Sequence, residues 1–98
     1  MKSTKGRKYD DDKLRYDLIP IESLEGLAEV LTYGAKKYDD NNWKYVPVHK
    51  YEAALWRHYI AWKKGEKEDN ESKLHHLKHC LANISFLLYN DINGGSDD

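Results

Sequence analysis

An all-α fold, a small three-helix bundle with an extended N-terminal arm, is predicted by three observations. Apolar residues recur at steps of three and four over three long stretches, the spacing of helices that each bury one face. Short polar loops separate the stretches, and short connections make packed neighbours of consecutive helices. The chain of 98 residues leaves room for one domain only.

The elements follow in order. Residues 1–12 are polar, carry no apolar period and are expected to form a flexible arm. Residues 13–20 (KLRYDLIP) read as extended, because Leu14, Tyr16 and Leu18 alternate with Arg15 and Asp17. Pro20 suits the first turn of a helix. That helix is predicted over 21–38, where Ile21, Leu24, Ala28, Leu31, Ala35 and Tyr38 share a face. Gly34 interrupts it and marks either a helix end near Tyr33 or a place of close approach by a backbone or ligand. Residues 39–47 form a loop signalled by DDNN. Trp43 within it either plugs the edge of the core or stacks on a base.

The second helix is predicted over 49–64, with Gly65 as its stop. Tyr51, Ala54, Leu55, His58 and Trp62 make its stripe, and Glu52 lies one step off it. The charged loop GEKEDNES follows, in which Asp69 or Asn70 is placed to cap the next helix. The third helix is predicted over 71–89, on the stripe Leu74, Leu77, Leu81, Ile84 and Leu88. Residues 13–90 thus make the one domain, and 91–98 a flexible tail. Phe86 and Leu87 make the third helix apolar on more than one side, and eight Tyr and three Trp add to the surplus. Such a surplus points to burial against another copy, a homo-oligomer.

Composition excludes several roles. With 16 basic and 17 acidic residues the net charge is −1, which argues against nucleic acid or an anionic membrane as partner. Base is concentrated only locally, in Lys2, Lys5, Arg7, Lys8, Lys13 and Arg15, and suits a small anion. The single cysteine, Cys80, forms no internal disulfide and reads as a small buried hydrophobe. No apolar run approaches the roughly 18 residues of a membrane span, and the charged N-terminus lacks a signal-peptide core. A cytoplasmic location is the expectation.

The most unusual stretch is HHLKHCLAN, from His75 to Asn83. On a helix, His76 and His79 (three apart) or His75 and His79 (four apart) project to one side, so two rings reach one ion. His79 and Asn83 share that flank, and His58 joins them if the second and third helices pack antiparallel. Imidazole suits first-row divalent ions, and Glu52, Glu66, Asp69 and Glu71 are the acids nearest in sequence. Glu22, Glu25 and Glu29 offer a second acidic set, which fits Mg²⁺ or simply complements the helix dipole. Lys13, Arg15, Lys36, Lys37 and Arg57 are the cations available to phosphate.

The runs DLIPIESLEGLAEVLTYGAKKY, DNNW, ALWRHYIAWKKGEKED and ESKLHHLKHCLANISFLL stand in that order. Together they resemble the phage dATP/dGTP diphosphohydrolase family, small all-helical proteins similar in outline to the MazG-type nucleotide pyrophosphatases. The resemblance spans nearly the whole chain, from about residue 13 to residue 89. Its pattern of R-H, A-W, G-E and D-x-E-S falls on Arg57, His58, Ala61, Trp62, Gly65, Glu66, Asp69, Glu71 and Ser72. The family's next run, Gly-Leu-Pro-His-Leu, is here Lys73, Leu74, His75, His76 and Leu77. MazG-type proteins carry acid pairs, E-x-x-E and E-x-x-D, where this chain has His58 and His76-x-x-His79.

The resemblance implies metal-dependent hydrolysis of a deoxypurine nucleoside triphosphate to the monophosphate and pyrophosphate. His58, His76, His79 and Glu52 are then expected to hold a divalent ion, Mg²⁺ or Mn²⁺, with Co²⁺ or Zn²⁺ admitted by the imidazoles. His58, Asp69, Glu71, His76 and His79 carry the catalytic work. Lys13, Arg15, Lys36, Lys37, Asn42, Trp43, Arg57 and Asn83 bind substrate. The rival readings are a metal phosphohydrolase that releases triphosphate and a non-enzymatic helical interaction module.

Overall fold

The computed structural model describes residues 12–94. Among them are three helices, α1 (Ile21–Lys37), α2 (Val48–Lys63) and α3 (His76–Ile92), and two 3-10 turns, Tyr16–Leu18 and Asn42–Tyr45. The all-α three-helix architecture is as the sequence predicts. Most of the predicted arm and half of the predicted tail lie outside the described residues. α3 is the central element: α2 packs along it and α1 packs less extensively on its other flank. None of the helices is long and apolar enough to cross a membrane.

Local chemistry sets the boundaries. Pro20 and Pro47 are the N-cap residues of α1 and α2, one position before the helices begin. Each lacks the N–H that a helix start leaves unpaired. α1 runs past Tyr33 and through Gly34 to Lys37, so the helix end considered near Tyr33 does not occur. Among the described residues, no atom outside the surrounding turns of α1 backbone comes within 4 Å of where a Gly34 side chain would begin. α2 stops in a Schellman motif: Gly65 N–H donates to Trp62 O at 2.9 Å and Glu66 N–H to Ala61 O at 3.0 Å. Gly65 has φ +103°, which glycine adopts at little cost.

Three expectations are corrected. Residues 13–20 are not a strand-like run; Tyr16–Leu18 is a 3-10 turn, and Leu14, Tyr16 and Leu18 are all exposed. Alternation there buries no face.

The third helix begins at His76, not at residue 71. Asp69 Oδ2 accepts from the N–H groups of Glu71 (3.1 Å) and Ser72 (2.8 Å), which gives that backbone an alternative to helix. Lys73 then adopts φ +63°, a left-handed conformation that an α-helix excludes. The hairpin is closed by Asp69 N–H to Leu74 O and His76 N–H to Lys67 O, and by an isolated bridge between Glu68 and His75. The N-cap of α3 is therefore His75, whose Nδ1 accepts from Leu77 N–H at 3.0 Å, and neither Asp69 nor Asn70.

The third correction concerns the rotation of α3. The stripe Leu77–Leu81–Ile84–Leu88 does not face the core: Leu77, Ile84 and Leu88 are 37%, 51% and 58% exposed. The buried face consists of His76, His79, Cys80, Ala82 and Asn83. Among the described residues the buried apolar set is only Val30, Tyr51, Cys80 and Ala82. Cys80 is buried, as its reading as a small hydrophobe requires.

Candidate metal centre and nucleotide cleft

Because α3 turns its histidines inward, they meet α2. His58 Nδ1 lies 2.9 Å from His76 Nδ1. The folded-back loop brings Asp69 to the same point, so one donor atom each from His58, Asp69 and His76 lies within 4.8 Å of the others. His79 stacks on the His58 ring at 4.4 Å, nearly parallel at 7°. Its Nε2 meets Ser72 Oγ at 2.7 Å. The outer nitrogen of His76, Nε2, lies 3.2 Å from a Glu66 carboxylate oxygen. An acid on the outer nitrogen of an imidazole fixes the ring's orientation, as it does behind metal-binding histidines.

The electrostatics follow from burial. Burial, and then the neighbouring His79, push the His58 imidazole down to about 4 from an ordinary 6.5. Burial lowers His79 as well. Burial acts to raise Asp69, but the hydrogen bonds from Ser72 and the adjoining imidazoles outweigh it and hold the carboxyl below its usual range. Near neutral pH the group is therefore two neutral rings, His58 and His79, beside an ionised carboxylate. Two Nδ1 atoms at 2.9 Å have room for one proton or one cation between them. A two-imidazole, one-carboxylate donor set fits a first-row divalent ion and leaves coordination positions open.

Beside the group lies an open cleft of about 1000 Å³ between α1 and α2, floored by α3. His58, His79 and Asn83 line it, as do Lys36, Lys37, Lys50 and Arg57. Lys50, Ala54 and Arg57 recur along one face of α2, a spacing that makes Lys50 legible as a fourth cation once the helix is placed. Asn42 and Trp43 also border the cleft. Trp43 stacks on Phe86 (5.0 Å) and meets the edge of Tyr89 (4.9 Å), which ties the 3-10 turn to the C-terminal part of α3. Tyr51 Oη donates to Trp43 O and holds the same turn from α2. Asn83 Nδ2 donates to His79 O at 2.8 Å.

Other residues singled out in the sequence are not brought to this place. Glu52 is exposed and lies outside the three-donor group, six positions before His58 and so about 120° away round the helix. Glu71 does not face the imidazoles; it accepts from Tyr33 Oη at 2.6 Å and pairs with Lys37. Lys37 is thus engaged, and its pKa rises through that contact. Lys13 is exposed and Arg15 pairs with Asp17; neither lines the cleft. Glu25 and Glu29 border a second, smaller cleft, and Glu29 pairs with Lys78 at 2.6 Å. Lys78 crosses α1 at Gly26, where its Cγ lies 2.8 Å from the place of a side-chain carbon. Ser72 and Glu66 earn their places only through the loop's fold.

Fold and site together define a small all-α domain with an imidazole–carboxylate donor set beside an open, cation-lined cleft. The chain belongs to the dATP/dGTP diphosphohydrolase family: the family's N-terminal region, described as "dATP/dGTP diphosphohydrolase, N-terminal", matches residues 3–98. Neither the curated proteins nor the solved structures yield a match.

Proposed function

We propose that the chain hydrolyses deoxypurine nucleoside triphosphates, dATP or dGTP, to the monophosphate and pyrophosphate. The observation that carries the reading is the convergence of His58, Asp69 and His76 donor atoms within 4.8 Å beside a cleft with several cations in its lining. The family's name supplies the substrate and the reaction class.

His58, Asp69 and His76 hold a divalent ion, with Mn²⁺ or Co²⁺ better suited than Mg²⁺ to two imidazoles. Bound there, the ion supplies a Lewis acid for phosphate oxygen and lowers the pKa of water. Lys36, Lys50 and Arg57 bind the triphosphate, and Lys37 joins them if it leaves Glu71. A water oxygen bonds to the α-phosphorus, the bond from that phosphorus to the α–β bridging oxygen breaks, and pyrophosphate departs. The water's proton passes to His79, which burial keeps neutral and ready to accept it. Ser72, the present partner of His79 Nε2, gives place to that water. Asn83 and the part of Trp43 that Phe86 and Tyr89 leave uncovered contact the base or sugar.

The test is turnover by the purified chain on the eight common nucleoside and deoxynucleoside triphosphates, with Mg²⁺, Mn²⁺ or Co²⁺, resolving every phosphate product. Metal-dependent release of pyrophosphate from dATP or dGTP, abolished by His76→Ala, is the expected result. Release of triphosphate, or no turnover with any ion, refutes the reading.

A further inference from the structure

Three groups of the candidate centre come from the hairpin between α2 and α3: Glu66, Asp69 and Ser72. None of residues 66–75 is buried, so apolar packing does little to hold that segment in place. Asp69 Oδ2 accepts from Glu71 N–H at 3.1 Å and from Ser72 N–H at 2.8 Å. The side chain of the same Glu71 reaches the other way, to α1. Its Oε2 accepts from Tyr33 Oη at 2.6 Å and also from Lys37 Nζ. Tyr33 and Lys37 stand four apart on α1, about one turn, and so bring their donors to one point. A continuous chain of hydrogen bonds thus runs from α1 through Glu71 to the Asp69 carboxylate.

We infer that Tyr33 and Lys37 are positioning residues for the candidate metal centre: through Glu71 they hold the hairpin on α1 and so fix the Asp69 carboxylate beside His58 and His76. The inference rests on the reading of His58, Asp69 and His76 as ion ligands. Those three are not placed by the same means. His58 and His76 stand on helices that pack along each other, so the bundle itself sets them. Asp69 stands on the hairpin and is placed only as well as the hairpin is.

Charge gives the contact its direction. Asp69 and Glu71 are like charges two residues apart, and nothing in their own segment neutralises them. Lys37, then Tyr33, hold the Glu71 carboxyl below its usual range against the opposing push of Asp69. Without those donors the Glu71 side chain would turn to water, and the hairpin would lose its hydrogen bonds to α1. Two donors on one oxygen also have a use. Lys37 lines the cleft, so an anion there competes with Glu71 for it, while Tyr33 keeps Glu71 in place. The pair is exposed, at 39% for Lys37 and 61% for Glu71, and exposed pairs contribute little to global stability. Placement of Asp69, not stability of the fold, is therefore where its removal is felt.

The experiment uses the full chain, first with a chelator and then with Mn²⁺. Tyr33→Phe removes one hydroxyl and no charge. In the chelated protein it is expected to speed hydrogen exchange of the Glu71 and Ser72 amides at least about 3-fold, while the melting temperature moves by no more than about 3 °C. Calorimetric titration is expected to show Mn²⁺ bound about 10-fold more weakly, the usual effect of losing a group that orients a ligand. A role in stability alone would do the reverse, lowering the melting temperature and leaving the affinity of the folded chain unchanged. A second comparison separates position from charge. Glu71→Gln and Glu71→Ala lose the same charge, but only glutamine keeps an oxygen to accept from Tyr33 and Lys37. Glu71→Gln is expected to bind Mn²⁺ at least about 3-fold more tightly than Glu71→Ala. Equal affinities in those two, or unchanged amide exchange in Tyr33→Phe, overturn the inference. If the unsubstituted chain binds no Mn²⁺, the reading of the donor set fails. The exchange measurement needs no metal and then decides the positioning by itself: faster exchange supports it and unchanged exchange refutes it.

Discussion

The half-buried imidazole of His58 makes stability depend on pH in a window that carboxylates do not share. Its folded-state pKa is about 4 and its unfolded value 6.5. The unfolded chain therefore binds the proton first as pH falls, and the folded state loses ground between about 6.5 and 4. From pH 7.5 to pH 5 this linkage amounts to about 2 kcal/mol if the whole shift is felt. The ring is only half enclosed, and solvent screening reduces the figure to about 1 kcal/mol. His79 is shifted in the same direction and adds to it. Asp69 and Glu71 are shifted downwards, so their contribution is complete above their unfolded values and is lost only at more acid pH. Urea unfolding in the presence of a chelator, at half-unit steps from pH 7.5 to pH 5, isolates the histidines. The midpoint is expected to fall by about 1 M over that range, for a urea slope typical of a small domain. In His58→Gln, which cannot take up the proton, the fall is expected to shrink by at least half. Equal slopes in the two proteins would refute the assignment of a half-buried, neutral His58.

Three further outcomes follow from the geometry. Calorimetric titration with Mn²⁺ is expected to show binding that His76→Ala abolishes and that Glu66→Gln weakens about 10-fold, since Glu66 only orients the His76 ring; an undiminished affinity in His76→Ala would remove it from the donor set. Lys73→Gly is expected to stabilise the chain by about 0.5–1 kcal/mol in thermal unfolding, because φ +63° is strained for lysine and free for glycine; destabilisation would show that the hairpin is not in this conformation. Trp43→Ala is expected to cost about 2–3 kcal/mol by loss of the Phe86 and Tyr89 ring contacts, whatever its effect on turnover. A loss of activity with stability unchanged would instead place Trp43 on the substrate.

Much of the candidate site was legible along the chain. His58, His76 and His79 were singled out because helical spacing puts His76 and His79 on one flank and puts His58 on the apolar stripe of its own helix. The structure adds that His58 and His76, not His76 and His79, are the pair whose nitrogens meet. Asp69 could be named from the loop but not placed, because its position depends on hydrogen bonds to Glu71 and Ser72 that close the hairpin. In the sequence Glu71 and Lys37 each point to function, one as an acid and one as a phosphate ligand. Only the approach of α1 to the loop shows that they satisfy each other. The family pattern holds one unused hint: it has glycine where Lys73 stands, and Lys73 has φ +63°.

By itself the sequence determined what periodicity and local chemistry determine: three helices, their approximate limits, the Gly65 stop and the family. Those features depend on contacts within a few residues, so neighbouring side chains suffice to specify them. The rotation of α3 about its axis did not follow from its pattern. The apolar stripe is the stronger signal, yet the buried side carries His76, His79 and Asn83, because the hairpin and α2 supply partners for the two histidines and His79 O accepts from Asn83. A polar side chain is buried where its hydrogen bonds can be met, and the partners of the two histidines lie outside their own helix. Tertiary structure alone decided which face of α3 holds the candidate site.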